Sequence, residues 1–214
     1  MELDVDILLS LYLQRKDEIQ KRIKEFKETM KGSDEMIFTE LCFCLCTPQS
    51  KALVCWERIS NLMKNGLLYV GSENEIMRFL RGIRFKRRKA RRIVDARKFF
   101  TQSDRLSIKE KLATFKNPFK LREWLVKNVN GLGMKEASHF LRNIGLGLEL
   151  AILDRHILKN LRMLGIIENI PNNLSKRRYE EIEGKMKAFS EKINIPLAEL
   201  DLLLWSIETG IVFK

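Results

Sequence analysis

Lys135 and Asp154 are the two residues of this chain whose types and settings suit covalent chemistry. Lys135 follows N-G-L-G-M and opens an apolar-periodic segment, so it falls in the first turn of a helix. A cation is disfavoured there, because the helix dipole places positive partial charge at that end and an ordinary helix prefers Asp or Glu. The same penalty is useful to an amine that must lose its proton. Bringing a lysine from about 10.4 to near 7 takes about 4 to 5 kcal/mol, and helix end, neighbouring cations and burial all act in that direction. A neutral lysine attacks an electrophilic carbon and forms a Schiff base. Asp154 ends the short apolar run of E-L-A-I-L-D, just before another helix, where it is a good N-cap whether or not it does chemistry. It lies nineteen positions after Lys135. A helix over 135–144 carries the chain about 14 Å away, and the remaining ten or so residues reach roughly 33 Å when extended. The carboxylate can therefore return to the amine, giving an acid/base and nucleophile pair.

The scaffold that must hold this pair begins with Arg122–Gly145. Trp124, Leu125 and Val129 share one helix face, Gly131 and Gly133 permit a tight turn, and Ala137, Phe140, Leu141 and Ile144 line a second helix. Free N–H groups at the start of that second helix suit a DNA phosphate, contacted without reading sequence. An ordinary αα-hairpin would use the same glycines. Upstream, from Arg81 to Lys98, the chain is strongly basic, with Asp95 the one acid. A solvated helix face would look similar, but one-sided charge repels itself unless an anion neutralises it. Arg87, Arg88, Arg91 and Arg92 are therefore expected on phosphates. The whole chain agrees: 40 Lys+Arg against 28 Asp+Glu give a net charge of +12, which favours a polyanionic partner.

Elsewhere, helical periodicity dominates over 214 residues, enough for one large domain or two small interleaved ones. Leu8, Leu11, Tyr12, Ile19, Ile23 and Phe26 form the stripe of a long first helix that should end near Gly32. Ser33 or Asp34 opens a second helix, which stops at Thr47-Pro48, and Ser50 is positioned to cap a third. Ser72 and Glu75 make a capping box for a fourth. Further helices are expected over 107–115, 119–128, 135–144, 155–164, 175–193 and 197–208. No stretch alternates with the period of a strand between Gly-rich turns, so the class is all-α. Cys42, Cys44, Cys46 and Cys55 lie too close together to staple distant segments and read as free thiols rather than a metal cage. Every apolar run is cut by charge well short of a membrane span, and the N-terminus is acidic where a secretory signal is basic. A chain of the cell interior, cytoplasmic and associated with the nucleoid, is expected.

The segment N-G-L-G-M-K-E-A-S, followed after 19 residues by the Asp of L-D-R-H-I, resembles the helix-hairpin-helix superfamily of DNA base-excision glycosylases. Endonuclease III-like members carry four C-terminal cysteines for an iron–sulfur cluster; here no cysteine lies beyond Cys55. Larger 8-oxoguanine enzymes add an N-terminal β domain for which there is no room. A short helical chain with a tail ending Gly-x-x-x-Lys is similar to the compact 8-oxoguanine DNA glycosylase/AP lyase family of archaea and thermophilic bacteria. That resemblance implies two helical lobes without an iron–sulfur cluster: residues 34–147, with the hairpin at 122–145, and residues 1–33 together with 148–214, the active site lying between them. It implies Lys135 as nucleophile on C1′ of a flipped 8-oxoguanine nucleotide and Asp154 as its charge-stabilising partner, followed by β-elimination. It implies Gln49 as the residue filling the space left by the flipped base, although Thr47–Ser50 also reads as a plain Pro turn. Phe85 and Trp205 are candidates to stack on the base, against the usual core role of aromatics. His139 and His156 read as structural. Apolar Ile211, Val212 and Phe213 should draw Lys214 inward, where its α-carboxylate would accept from guanine N1 and N2. No metal or organic cofactor is required, though carbonyls around Val129 and Gly131 suit a structural monovalent cation. The expected partner is duplex DNA containing 8-oxoguanine, met by a monomer without a protein partner. A different lesion on the same scaffold, or a non-enzymatic DNA-binding module, are the alternatives.

Overall fold

The computed structural model describes residues 3–214, which form twelve α-helices and one two-stranded ribbon. Asp4 caps α1 (Val5–Thr29) by accepting from Ile7 N–H at 2.8 Å, and its buried stripe is Leu8, Tyr12, Ile19, Ile23 and Phe26. Ser33 caps α2 (Asp34–Cys46), a helix buried on nearly every face; α3 (Ala52–Lys64), α4 (Leu67–Val70) and α5 (Glu73–Phe79) follow. The Ser72/Glu75 capping box forms as expected. The basic run becomes α6 (Lys86–Phe100), which buries Lys89, Ala90, Ile93 and Ala96. Next come β1 (Thr101–Gln102) paired antiparallel with β2 (Arg105–Leu106), then α7 (Ile108–Ala113), α8 (Pro118–Asn128), α9 (Met134–Asn143), α10 (Arg155–Met163), α11 (Lys176–Lys192) and α12 (Leu197–Thr209).

Two apolar cores account for the packing. One gathers buried side chains from Ile37 to Leu150, the other joins α1 to everything from Ala151 to Val212. Because α2 is buried all round, Cys42, Cys44 and Cys46 are all inside, with Cys55; all four thiols are free, and burial pushes them up from the ordinary cysteine range. Ser50 departs from expectation. Lys51 precedes α3 without a side-chain cap, because Ser50 Oγ instead accepts from Arg84 N–H at 3.1 Å and Lys89 Nζ at 3.0 Å. Among the described residues no helix is long and apolar enough to cross a membrane.

Buried ion pairs lock the cores together. Arg122 of α8 donates to both oxygens of Glu183 on α11, at 2.6 and 2.8 Å, and Glu183 also accepts from Ala151 N–H at 2.8 Å. Arg142 of α9 reaches Asp201 of α12 at 2.6 Å. Glu183→Ala would strand a guanidinium that is 1% exposed, so a loss of about 3–5 kcal/mol and a fall in Tm of roughly 6–20 °C are expected in thermal unfolding. A shift of a degree or less would mean that the pair contributes nothing net.

Candidate active site

The hairpin ties the last turn of α8 to the first turn of α9. Val129 O accepts from Leu132 N–H at 3.2 Å, and Gly131 takes φ +98°, open to glycine at no cost. A Cβ at Gly131 would also collide with the side chain of Arg92, which lies against the hairpin from α6. Gly133 is the N-cap residue of α9, and its N–H donates to Glu136 Oε2 at 3.2 Å. Lys135 stands in this first turn with its side chain 23% exposed. Glu136 is the partner that sequence inspection missed: its Oε1 lies 3.1 Å from Lys135 Nζ. A first-turn acid of this kind offsets the cation that the helix dipole disfavours. Only a helix end, cations and burial were expected around the amine, so Glu136 corrects that picture.

Asp154 does cap α10, its Oδ1 accepting from His156 N–H at 2.8 Å and Ile157 N–H at 2.9 Å. Both bonds use one oxygen, so Oδ2 makes no protein hydrogen bond among the described residues. Lys135 and Asp154 share an electrostatic neighbourhood around buried Asp201. Burial pushes Asp201 up to about 7; Arg142 opposes that shift, Asp154 adds to it and Lys135 opposes it. His139, one turn beyond Lys135, is buried and held neutral, chiefly by desolvation, and meets the Phe43 ring edge-on at 5.4 Å. It packs, as expected. His156 lies 3.8 Å from Glu208 and belongs to the α10–α12 contact.

The tail folds inward. Val212 is buried, Phe213 lies 6.3 Å from Trp205 and 6.2 Å from Phe43, and Lys214 crosses to the first core. There its ammonium pairs with buried Glu40 and sits 3.4 Å from the Trp56 ring centroid. Glu40 also accepts from Asn143 of α9 at 3.1 Å. Glu40 and Trp56 thus consume the Lys214 side chain, and what this residue can offer a ligand comes from its main chain. One acid inside the apolar segment F-T-E-L-C-F-C-L-C was the available signal for Glu40.

The remaining candidates surround α6. Gln49 is exposed at φ +56°, in a turn whose flanking carbonyls accept from Lys89. Phe85 precedes α6 at φ +56° and is 53% exposed, with the guanidinium groups of Arg84 and Arg88 at 5.4 and 5.9 Å from its ring. Trp205 and Phe85 therefore fall in different places: Trp205 lies with the tail and Phe85 lies with the basic helix. Arg87, Arg88 and Arg91 are exposed and Arg92 half-buried against Gly131. Lys89 feels the charges of both Arg92 and Lys135, which makes helix, turn and hairpin neighbours. Replacing Arg87, Arg88, Arg91 and Arg92 with Ala should weaken binding to every duplex alike and flatten log K against log salt by up to about 3–4 units of slope. An unchanged slope in a salt titration would assign the run to solubility.

Among the described residues no group of three or more His, Cys, Asp or Glu is arranged to hold a metal ion. A sequence model of the family described as 8-oxoguanine DNA glycosylase matches residues 19–195. The 8-oxoguanine DNA glycosylase/AP lyase of Fusobacterium nucleatum is 43% identical over 205 residues, covering 95% of this chain and 94% of the relative. The enzyme of the same description from Methanocaldococcus jannaschii is 43% identical over 201 residues, 93% of each chain. A crystal structure of the M. jannaschii enzyme with a 15mer DNA containing 8-oxoguanine superposes with a TM-score of 0.88 at 38% identity, covering 98% of this chain and 100% of that one. The Thermotoga maritima enzyme gives 0.86 at 34%, covering 97% and 96%.

Proposed function

The chain belongs to the 8-oxoguanine DNA glycosylase/AP lyase family, and from that premise we propose how its own residues divide the work. A flipped 8-oxoguanine nucleotide enters between the hairpin and the tail. Lys135 leaves Glu136 and its unprotonated Nζ attacks C1′; the N–C bond forms as the bond from C1′ to the base breaks and the base departs. Asp154, whose Oδ2 makes no hydrogen bond among the described residues, balances the positive charge that grows on the sugar and accepts a proton from the attacking amine. Opening of the sugar ring leaves an imine between Lys135 and C1′. Loss of a C2′ proton then expels the 3′ phosphate oxygen, which is the lyase half-reaction.

The remaining groups bind and orient. With Leu132 and Gly133 N–H already bonded within the hairpin, the N–H groups of Gly131, Met134 and Lys135 take a backbone phosphate, and the arginines of α6 take others. Gln49 fills the stack, while Phe85 and Trp205 are the aromatic faces offered to bases. Val129 O carries one hydrogen bond and keeps a lone pair, so it and Gly131 O fit a monovalent cation that would stiffen the hairpin. We place this activity on the DNA of the nucleoid, performed by a monomer.

The observation that carries the division is that a first-turn lysine and an N-cap aspartate, its second oxygen without a hydrogen bond among the described residues, both act on buried Asp201. Lys214 assigns the base. With its ammonium held by Glu40 and Trp56, its main chain, next in the chain to Phe213 whose ring lies 6.3 Å from that of Trp205, is the part left to meet a purine edge. Deleting Lys214 should lower excision of 8-oxoguanine about 100-fold, as lost positioning contacts do, while strand cleavage at a preformed abasic site persists. Equal loss of both activities, or of neither, would remove Lys214 from base recognition.

A further inference from the structure

Among the described residues Lys89 makes no ion pair. It lies on the inward face of α6, is 1% exposed, and donates to Cys46 O at 2.7 Å, Pro48 O at 2.7 Å and Ser50 Oγ at 3.0 Å. Every one of these partners is neutral, and burying a charge among neutral acceptors is costly compared with a well-packed apolar side chain. All three acceptors belong to the short segment that ends α2 and turns into α3. They bracket Gln49, which is exposed and held at φ +56°, a conformation disfavoured for an L-residue with an ordinary side chain. Ser50 Oγ is gripped from a second side, by Arg84 N–H at 3.1 Å. The turn is therefore referenced at two points to the segment around the start of α6, whose outward arginines are the expected phosphate contacts.

We propose that Lys89 is a positioning residue for the Gln49 turn, fixing that turn to the phosphate-gripping helix so that Gln49 enters the duplex in register when the arginines seat on the backbone. Capping α2 would need only the Cys46 carbonyl. The contacts to Pro48 and Ser50 constrain the far side of the turn, beyond the helix end. A rigid link of this kind lets phosphate binding on one face of α6 set the depth of an inserted side chain on the other. The proposal rests on Gln49 being the inserted residue, and the test separates the two claims.

Single-turnover excision of 8-oxoguanine from duplex DNA is compared with cleavage of a single-stranded abasic oligonucleotide, where no stack needs filling. The proteins are the unsubstituted chain, Gln49→Ala, Lys89→Met and the double variant. Gln49→Ala and Lys89→Met should each slow the duplex reaction by about 10- to 100-fold, with a much smaller change on the single strand. The double variant should be no slower than the worse single one, because both remove the same insertion. A folded Lys89→Met as fast as the unsubstituted chain on duplex, beside a slow Gln49→Ala, overturns the role of Lys89 and leaves the inserted residue standing. Full speed in both overturns the insertion itself. Equal losses on both substrates, or strictly additive losses in the double variant, would make Lys89 a support of the fold alone. Should Lys89→Met not fold, Ser50→Ala, which removes one acceptor and the Arg84 link, decides by the same ratio.

Discussion

A chain carrying Lys135→Gln should bind an 8-oxoguanine duplex as the unsubstituted chain does, yet release no base and cut no strand. Binding survives because the hairpin N–H groups, the N-terminus of α9 and the arginines of α6 are untouched. Chemistry fails because an amide nitrogen is not a nucleophile and cannot form an imine. Folding should change little. Glu136, whose side chain is 15% exposed, loses its cation but keeps its bond from Gly133 N–H, so a loss of roughly 1 kcal/mol is expected. Gel-shift titration together with single-turnover excision checks all of this. Residual turnover above background would move the nucleophile elsewhere.

The second large effect is expected at Asp154. Asn accepts hydrogen bonds from His156 and Ile157 as Asp does and is an equally good N-cap, so Asp154→Asn should unfold within a few tenths of a kcal/mol of the unsubstituted chain. It lacks the charge that balances the sugar cation and the basicity to take a proton from Lys135. Excision should fall by about 10²- to 10⁴-fold, the range of a lost acid/base group. Asp154→Ala should add a stability loss of about 0.5–2 kcal/mol to the same kinetic defect. Full activity in the folded Asn variant would leave Asp154 as a cap and nothing more.

Local rules carried the sequence a long way wherever the determinants lie within one helical turn. Ser33, Ser72 with Glu75, and Asp154 cap helices because a side chain and an N–H two or three residues on are neighbours in any helix start. The hairpin was legible because two glycines between amphipathic segments leave the backbone few choices. Ser50 fails for the complementary reason. As a local signal it looks like a cap, but Arg84 and Lys89, more than thirty residues along the chain, take its oxygen first. Lys89 itself was hidden among arginines, since nothing in a basic run says which cation turns inward. The ribbon of β1 and β2 is too short to show a period. Lys214 was visible as the end of an apolar tail, whereas Glu40, its partner, is 174 residues away and only the fold brings it there.

Borohydride trapping followed by peptide mapping tests the central claim most directly. Reduction of a mixture of the protein and duplex DNA containing 8-oxoguanine should yield one covalent complex, with the sugar remnant on the peptide that holds Lys135. Asp154→Asn should slow its appearance and Lys135→Gln should abolish it. No adduct under conditions where the base is released, or an adduct mapped to Lys89, Lys214 or the chain's α-amino group, would contradict the assignment of Lys135 as the nucleophile.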